Sequence, residues 1–261
     1  MKLGIMYGIG VGPGDPELIS VKGARILAGC RHVFVPKTRM EKESTALAIA
    51  RGYSPSNAAI HELVFPMITD RSELSQQWDA SAQSIASVIR TGEDVCFLTL
   101  GDPFLYSTYV YLLRAVRARI PGVKAVTVPG ITSFCAAAAL TEFSLGEGTE
   151  TVSVVPTPDN FDRVREALSR KGTVVLMKVG RHLGKVLEIL EELDLLNQGV
   201  FASRIGMDGE SAEVDLRRLK REGMEAGYFS ILLVRNDRID APGEEASASA
   251  ARLEGHGEGS I

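Results

Sequence analysis

The sequence predicts an α/β protein of two consecutive units, each built on a mostly parallel or mixed sheet covered by helices. Three features carry this expectation. Short apolar runs, rich in β-branched or aromatic residues, alternate with longer stretches of helical spacing. A segment rich in glycine, serine and glutamate interrupts the pattern at Phe143–Glu150. A second series of apolar runs and helical stretches then follows, with enough aliphatic residues for its own core.

In the first unit the expected strands are Leu3–Gly10, His32–Pro36, Ala59–Val64, Val95–Leu100 and Lys124–Val128. Between Asp70 and Arg90, the residues Leu74, Trp78, Ala82, Ile85 and Ile89 recur every three or four positions, the apolar stripe of a surface helix. Phe143–Glu150 reads as a linker between units 1–142 and 151–240. In the second unit, strands are expected at Thr151–Pro156, Thr173–Val179, Gly199–Ile205 and Gly227–Val234, with helices near Phe161–Ser169 and Leu183–Leu193. The tail from Ala241 is made of Ala, Ser, Gly and Glu, has little to bury, and is expected to be disordered.

Composition narrows the function classes. The 261 residues are 45% hydrophobic and 24% charged, as in a globular protein in water. A net charge of −4 argues against a surface that coats nucleic acid, and no such partner is expected. The three cysteines, Cys30, Cys96 and Cys135, are odd in number and widely spaced, which reads as free thiols in a reducing compartment. Neither a signal pattern nor an apolar run near the roughly 20 residues of a membrane span is found. A cytoplasmic protein with no membrane association is the resulting expectation.

Three loops concentrate the chemistry. The first, YGIGVGPGDPELIS over Tyr7–Ser20, follows a strand and precedes a helix expected near Pro16. It resembles a dinucleotide-binding turn, but Pro13 stands where the third glycine of G-x-G-x-x-G belongs; shifting the frame places Asp15 there. Proline has no N–H to offer a phosphate and a carboxylate repels one. No Gly-Lys-Ser/Thr follows either, so a polyphosphate cradle is excluded. The second loop, LTLGDPFLYST over Leu98–Thr108, ends a strand where ligands of open α/β sheets bind, and Asp102 there offers an acceptor to amines or hydroxyls. A plain type I turn is the alternative reading of Gly-Asp-Pro by itself. The third, VPGITSFCAAAA over Val128–Ala139, opens an alanine-rich helix with Thr132 and Ser133 in its first turn, where uncapped N–H groups leave room for a ligand.

G-x-G-x-G-P-G-D-P, L-G-D-P and V-P-G-I-T-S in this order and spacing resemble the tetrapyrrole (corrin/porphyrin) methyltransferases, over nearly the whole chain to about residue 236. The resemblance implies two α/β domains with the active site in the cleft between them, an S-adenosylmethionine donor and a homodimer. It implies donor contacts at Pro13, Leu100, Gly101, Asp102, Leu105, Thr132, Ser133, Met177, the Arg204 region, Phe229 and Ser230, with the Gly12–Pro13 loop forming part of a tetrapyrrole trough. G-D-P-F-L-Y-S-T and P-G-I-T-S-F-C-A-A-A-A are similar to the C20-methyltransferases of cobalamin biosynthesis, which implies precorrin-2 or cobalt-factor II as substrate. Another methyltransferase of the corrin pathway, or one of the siroheme branch, is the alternative.

Transfer of a methyl group to a meso carbon requires little covalent help but accurate placement, and then removal of a proton. Asp102 is the first candidate base; its other reading is a residue that orients the turn or the donor. Tyr228 is the second, unless it is a core tyrosine. Lys178 interrupts an apolar run, a costly place for a charge unless it meets a substrate anion or a structural ion-pair partner. A substrate carrying eight carboxylates calls for cations, and Arg31, Lys37 and Arg39 around the second strand together with Arg204 are the candidates. The histidines at 32, 61, 182 and 256 form no ligand pattern, so no protein-bound metal is expected, and any cobalt belongs to the substrate. A Rossmann oxidoreductase and a non-catalytic tetrapyrrole carrier are the rival readings.

Overall fold

A computed structural model describes residues 2–37, 43–65, 71–156, 161–223 and 226–237. Arg39, His256 and the tail from Ala241 lie outside the described residues.

Five strands form the first sheet: β1 (Met6–Gly10), β2 (His32–Lys37), β3 (Ala59–Val64), β4 (Val95–Thr99) and β5 (Ala125–Val128), in the order β3-β2-β4-β1-β5. Every pairing in it is parallel. The central strand β4 is buried on both faces, and its alternate residues divide between two cores. Cys96 and Leu98 meet Leu27 of α1 (Val21–Ala28) and Ile49 of α2 (Thr45–Ala50) on one face. On the other, Val95 and Phe97 meet Ile85 and Ile89 of α3 (Arg71–Arg90) and Leu112 and Val116 of α4 (Tyr109–Arg119). The stripe read from Trp78 to Ile89 is therefore the buried face of α3. From β1 the chain crosses to β2 on one side, and from β4 to β5 on the other, so the carboxyl ends of β1 and β4 form the crevice at which the strand order reverses.

The second sheet is mixed: β6 (Val152–Pro156), β7 (Gly172–Met177), β8 (Gly199–Ser203), β9 (Ser211–Glu213) and β10 (Ser230–Asn236), ordered β6-β7-β10-β8-β9. Only the β6–β7 pairing is parallel. Helices α6 (Asp162–Ser169), α7 (Leu183–Glu192) and α8 (Leu216–Glu222) cover one face. The other face is covered by the alanine-rich helix α5 (Ser133–Leu140), whose Ala136 and Ala137 pack on Val175, Ala202, Ile231 and Leu233. Packing thus divides before α5, although this helix falls inside the 1–142 unit by sequence. Phe143 and Leu145 of the expected linker pack on the same cluster, and Arg235 donates to the Ser144 carbonyl at 2.6 Å.

Four strands end or begin two residues or more from the sequence reading; β1 starts at Met6 rather than Leu3. β7 stops at Met177 and β8 at Ser203 because Lys178 (φ 60°) and Arg204 (φ 52°) are in the left-handed region, which no strand can continue through. β10 begins at Ser230, three residues later than expected. The elements not foreseen, β9 and α8, are three and seven residues long, too short for a periodic signal. At the amino ends of the first sheet, His32 and His61, which show no pattern in sequence, are brought within 3.1 Å by the pairing of β2 with β3, and His32 also reaches Glu93 at 2.6 Å.

Candidate active site at the strand-end loops

The three loops singled out in sequence are joined by their backbones. Gly101 N–H donates to the Gly12 carbonyl at 2.7 Å, and Val11 N–H to that of Thr99 at 3.0 Å, stitching the first loop to the second. A Cβ at Gly10 would stand 2.5 Å from the Gly101 oxygen and 2.7 Å from Gly130 N, so all three loops cross where only hydrogen fits. Asp102 locks this crossing: Oδ1 accepts Phe104 N–H at 2.8 Å and Oδ2 accepts Gly130 N–H at 3.1 Å. Orientation of the turn is therefore one role of Asp102. Each of its oxygens keeps a further lone pair.

Gly8 has a different reason to be glycine. A Cβ there would enter the ring of Tyr109, a fully buried residue whose hydroxyl is 2.8 Å from Thr127 Oγ1. The first glycine of the apparent nucleotide fingerprint thus admits a core aromatic. Pro13 and Gly12 are buried within the first loop, which Asp15 ends by accepting Glu17 N–H at 2.8 Å. A short 3-10 turn (Pro16–Leu18) precedes α1, which Ser20 caps. The third loop is capped as well: Thr132 Oγ1 accepts Cys135 N–H at 3.4 Å, so that N–H is not left open as the sequence suggested.

The second sheet brings its own strand ends together. Because β10 runs antiparallel to β7 and β8, its start lies beside their ends. Val179 N–H donates to the Ser230 carbonyl at 3.2 Å and Arg204 N–H to that of Phe229 at 2.9 Å. Met177, Lys178, Arg204, Tyr228, Phe229 and Ser230 accordingly share one edge. Lys178 Nζ stands 5.3 Å from the centroid of the Tyr228 ring, which is 52% exposed, a cation–π contact rather than an ion pair. Ser230 is buried, its hydroxyl held by the Gly227 carbonyl at 2.7 Å and by Ser203 at 3.1 Å. Arg204 is exposed, and its Nε donates to the Asp208 carbonyl at 2.5 Å.

The two edges meet. A Cβ at Gly14 would run into the Ile205 carbonyl and stand 2.8 Å from Met207 Cγ, and Tyr106 Oη donates to the Val154 carbonyl at 3.2 Å. Of five non-glycine residues with positive φ among the described residues, three (Tyr106, Lys178 and Arg204) lie in these strand-end loops. Such strain persists where surrounding structure enforces it, and it clusters at functional sites. Gly101, at φ 65°, has only the Ile131 oxygen, at 3.9 Å, near its Cβ position, so space opens beside it. Leu100 and Leu105 flank that turn, both half-buried.

Not every candidate cation gathers here. Lys37 ends β2 and pairs with Glu62 at 2.9 Å. Arg31 precedes β2, at the amino ends of the strands, where its carbonyl accepts Ala59 N–H. The six-residue strand between them spans about 20 Å, so Arg31 lies on the opposite edge from Lys37. Among the described residues no group of three or more His, Cys, Asp or Glu could hold a metal ion, and no helix is long and apolar enough to cross a membrane.

The family description Tetrapyrrole (Corrin/Porphyrin) Methylases matches residues 6–219. The cobalt-precorrin-2 C(20)-methyltransferase of Salmonella typhimurium is 31% identical over 231 residues, 88% of this chain and 96% of that protein. The precorrin-2 C(20)-methyltransferase of a Sinorhizobium species is 29% identical over 240 residues, 89% of this chain and 95% of that protein. A solved cobalt precorrin-4 methyltransferase shares the fold, with a TM-score of 0.68 at 22% identity, covering 88% of this chain and 94% of that one. With its three glycine loops crossing at the strand ends of one sheet and meeting the edge of another, this chain belongs to the tetrapyrrole (corrin/porphyrin) methylases.

Proposed function

We propose that this protein is an S-adenosylmethionine-dependent methyltransferase acting on C20 of precorrin-2, or of cobalt-factor II, in cobalamin biosynthesis. The observation that carries the reading is the Gly101–Thr108 loop. Its G-D-P-F-L-Y-S-T sequence is similar to that of C20-methyltransferases, and it stands at the crossing of all three loops. Similarity to two relatives named for that reaction, across nearly their full lengths, supports it.

The donor fits the residues present. Open space at Gly101, flanked by Leu100, Asp102 and Leu105, would take it from the first sheet, with Pro13, Thr132 and Ser133 beside it; Met177, Arg204, Phe229 and Ser230 would complete the site. Bound there, it would supply an electrophilic methyl group on a sulfonium. The protein's part is placement, the term that dominates when the acceptor carbon is already nucleophilic. An Asp102 carboxylate oxygen, held by its backbone bonds, would take up the C20 proton, and the Tyr228 phenol, whose ring lies by Lys178, would share that proton in a hydrogen bond. In this reading the Gly12–Pro13 loop, Lys37 and Arg204 would serve the acid-rich tetrapyrrole; Arg31, at the amino end of β2, is the candidate cation farthest from Lys37 along that strand.

The reading includes a homodimer in the cytoplasm, without nucleic acid or membrane as partner, and two domains, expected at 1–142 and 151–240, with α5 of the first stretch packing on the second sheet. Light scattering at micromolar concentration tests the dimer. The activity test is anaerobic incubation with S-adenosylmethionine and either precorrin-2 or cobalt-factor II. A mass gain of one methyl at C20 is expected; binding of the macrocycle without donor-dependent gain would leave only a carrier. S-adenosylhomocysteine should raise the melting temperature, whereas nicotinamide dinucleotides should not.

A further inference from the structure

Tyr106 is a residue of the Gly101–Thr108 loop whose role the donor and substrate assignments leave open. Its backbone is left-handed, at φ 51°, an unfavourable state for an aromatic residue without local compensation. On both sides the chain is fastened to the first sheet. Asp102 holds Phe104 N–H and Gly130 N–H. Buried Ser107 Oγ accepts Tyr109 N–H at 3.1 Å and lies 2.8 Å from Thr99 Oγ1 at the end of β4. Between these anchors the Tyr106 side chain turns outward, 49% exposed, and its hydroxyl donates to the Val154 carbonyl at 3.2 Å. Val154 belongs to β6, the outer strand of the second sheet, paired only with β7. The hydrogen bond therefore runs from a loop rooted in one sheet to the free edge of the other, spanning 48 residues of sequence.

We propose that Tyr106 is a positioning residue, a brace that fixes the β4 loop and Asp102 against the second sheet so that donor and acceptor meet in line. Neither sheet holds the whole candidate site: Asp102 and Gly101 come from one, Lys178, Arg204 and Tyr228 from the other. The gap between them sets the approach of methyl to carbon, and in-line transfer is steeply sensitive to that distance. A strained tyrosine at this position is accounted for by its hydroxyl reach, which no residue with a shorter side chain has.

This inference rests on the methyltransferase reading, and the test separates the two. Full-length Tyr106→Phe keeps the ring and removes only the bond; Tyr106→Asn removes the brace and suits a left-handed backbone. Turnover should fall about tenfold in the first variant and about 100-fold in the second. S-adenosylhomocysteine affinity and melting temperature should stay near wild type. A purely structural tyrosine would instead lose stability and donor affinity along with turnover, and that result, or turnover within about twofold of wild type in both variants, overturns the proposal. Hydrogen exchange gives a readout without substrate: both variants should exchange faster in the 102–108 loop and in β6, and unchanged exchange overturns the brace. Absence of methyl transfer in the wild-type protein would fall on the activity reading alone.

Discussion

Replacing Gly101 by alanine separates the backbone role of this residue from its role in the site. The wild-type φ is 65°, so alanine must adopt a left-handed conformation, costing about 1–2 kcal/mol. The added methyl meets nothing of the protein closer than the Ile131 oxygen at 3.9 Å, an ordinary contact, so no steric cost is added. The loss should appear as a melting shift of about 2–4 °C per kcal/mol for a protein of this size. Gly130→Ala provides the contrast. There the methyl would stand 2.8 Å from the Gly10 carbonyl carbon and closer still to the Gly101 oxygen, forcing backbone from backbone, at about 3 kcal/mol or more. If the donor lies in the space beside Gly101, the Gly101→Ala methyl occupies part of it. Affinity for S-adenosylhomocysteine should then fall tenfold or more, about 1.4 kcal/mol, beyond any effect on folding. Calorimetry and thermal melts on the same sample measure both quantities. A Gly101→Ala protein that is destabilised but binds the donor as wild type does would refute the placement.

Other expectations follow from individual contacts. Gly8→Ala forces a methyl into the Tyr109 ring and should cost about 1–3 kcal/mol in urea unfolding, with much of it recovered in a Gly8→Ala/Tyr109→Leu double variant if the ring is the cause. Asp102→Ala strips acceptors from Phe104 and Gly130 N–H groups and should destabilise by about 1–3 kcal/mol; Asp102→Asn, if the carboxylate takes the C20 proton, should also reduce turnover by about 100-fold. Burial and then the neighbouring His32 hold His61 below its ordinary value of 6.5. The unfolded chain therefore binds the proton first, and the stability His61 contributes, complete above pH 6.5, is lost as pH falls below it. Melting curves of His61→Phe between pH 7.5 and 5 should slope less than those of wild type. Arg204→Ala, which inherits the same left-handed backbone, should weaken tetrapyrrole binding more than donor binding; equal loss of both would give Arg204 to the donor site or to the fold.

The sequence by itself determined the class of fold, the family and the three loops. Local signals suffice for these: alternation of β-branched runs with helical stripes such as Trp78–Ile89, and proline in place of the third fingerprint glycine, act within a few residues of one another. What each glycine and charge does was decided by tertiary structure. Gly8 and Gly101 look equivalent in sequence, yet one makes room for a ring 101 residues away along the chain and the other carries a positive φ at an open edge. Arg31 and Lys37 look like neighbours in sequence, yet they stand at the two ends of an extended strand and are about 20 Å apart. The strands expected to run through Lys178 and Arg204 ended early because a single left-handed residue, invisible to hydrophobic periodicity, turns the chain toward the site. Helix α5 joined the second sheet because its near-uniform alanines specify no face, and only the flat apolar surface of β7, β10 and β8 chose one for it.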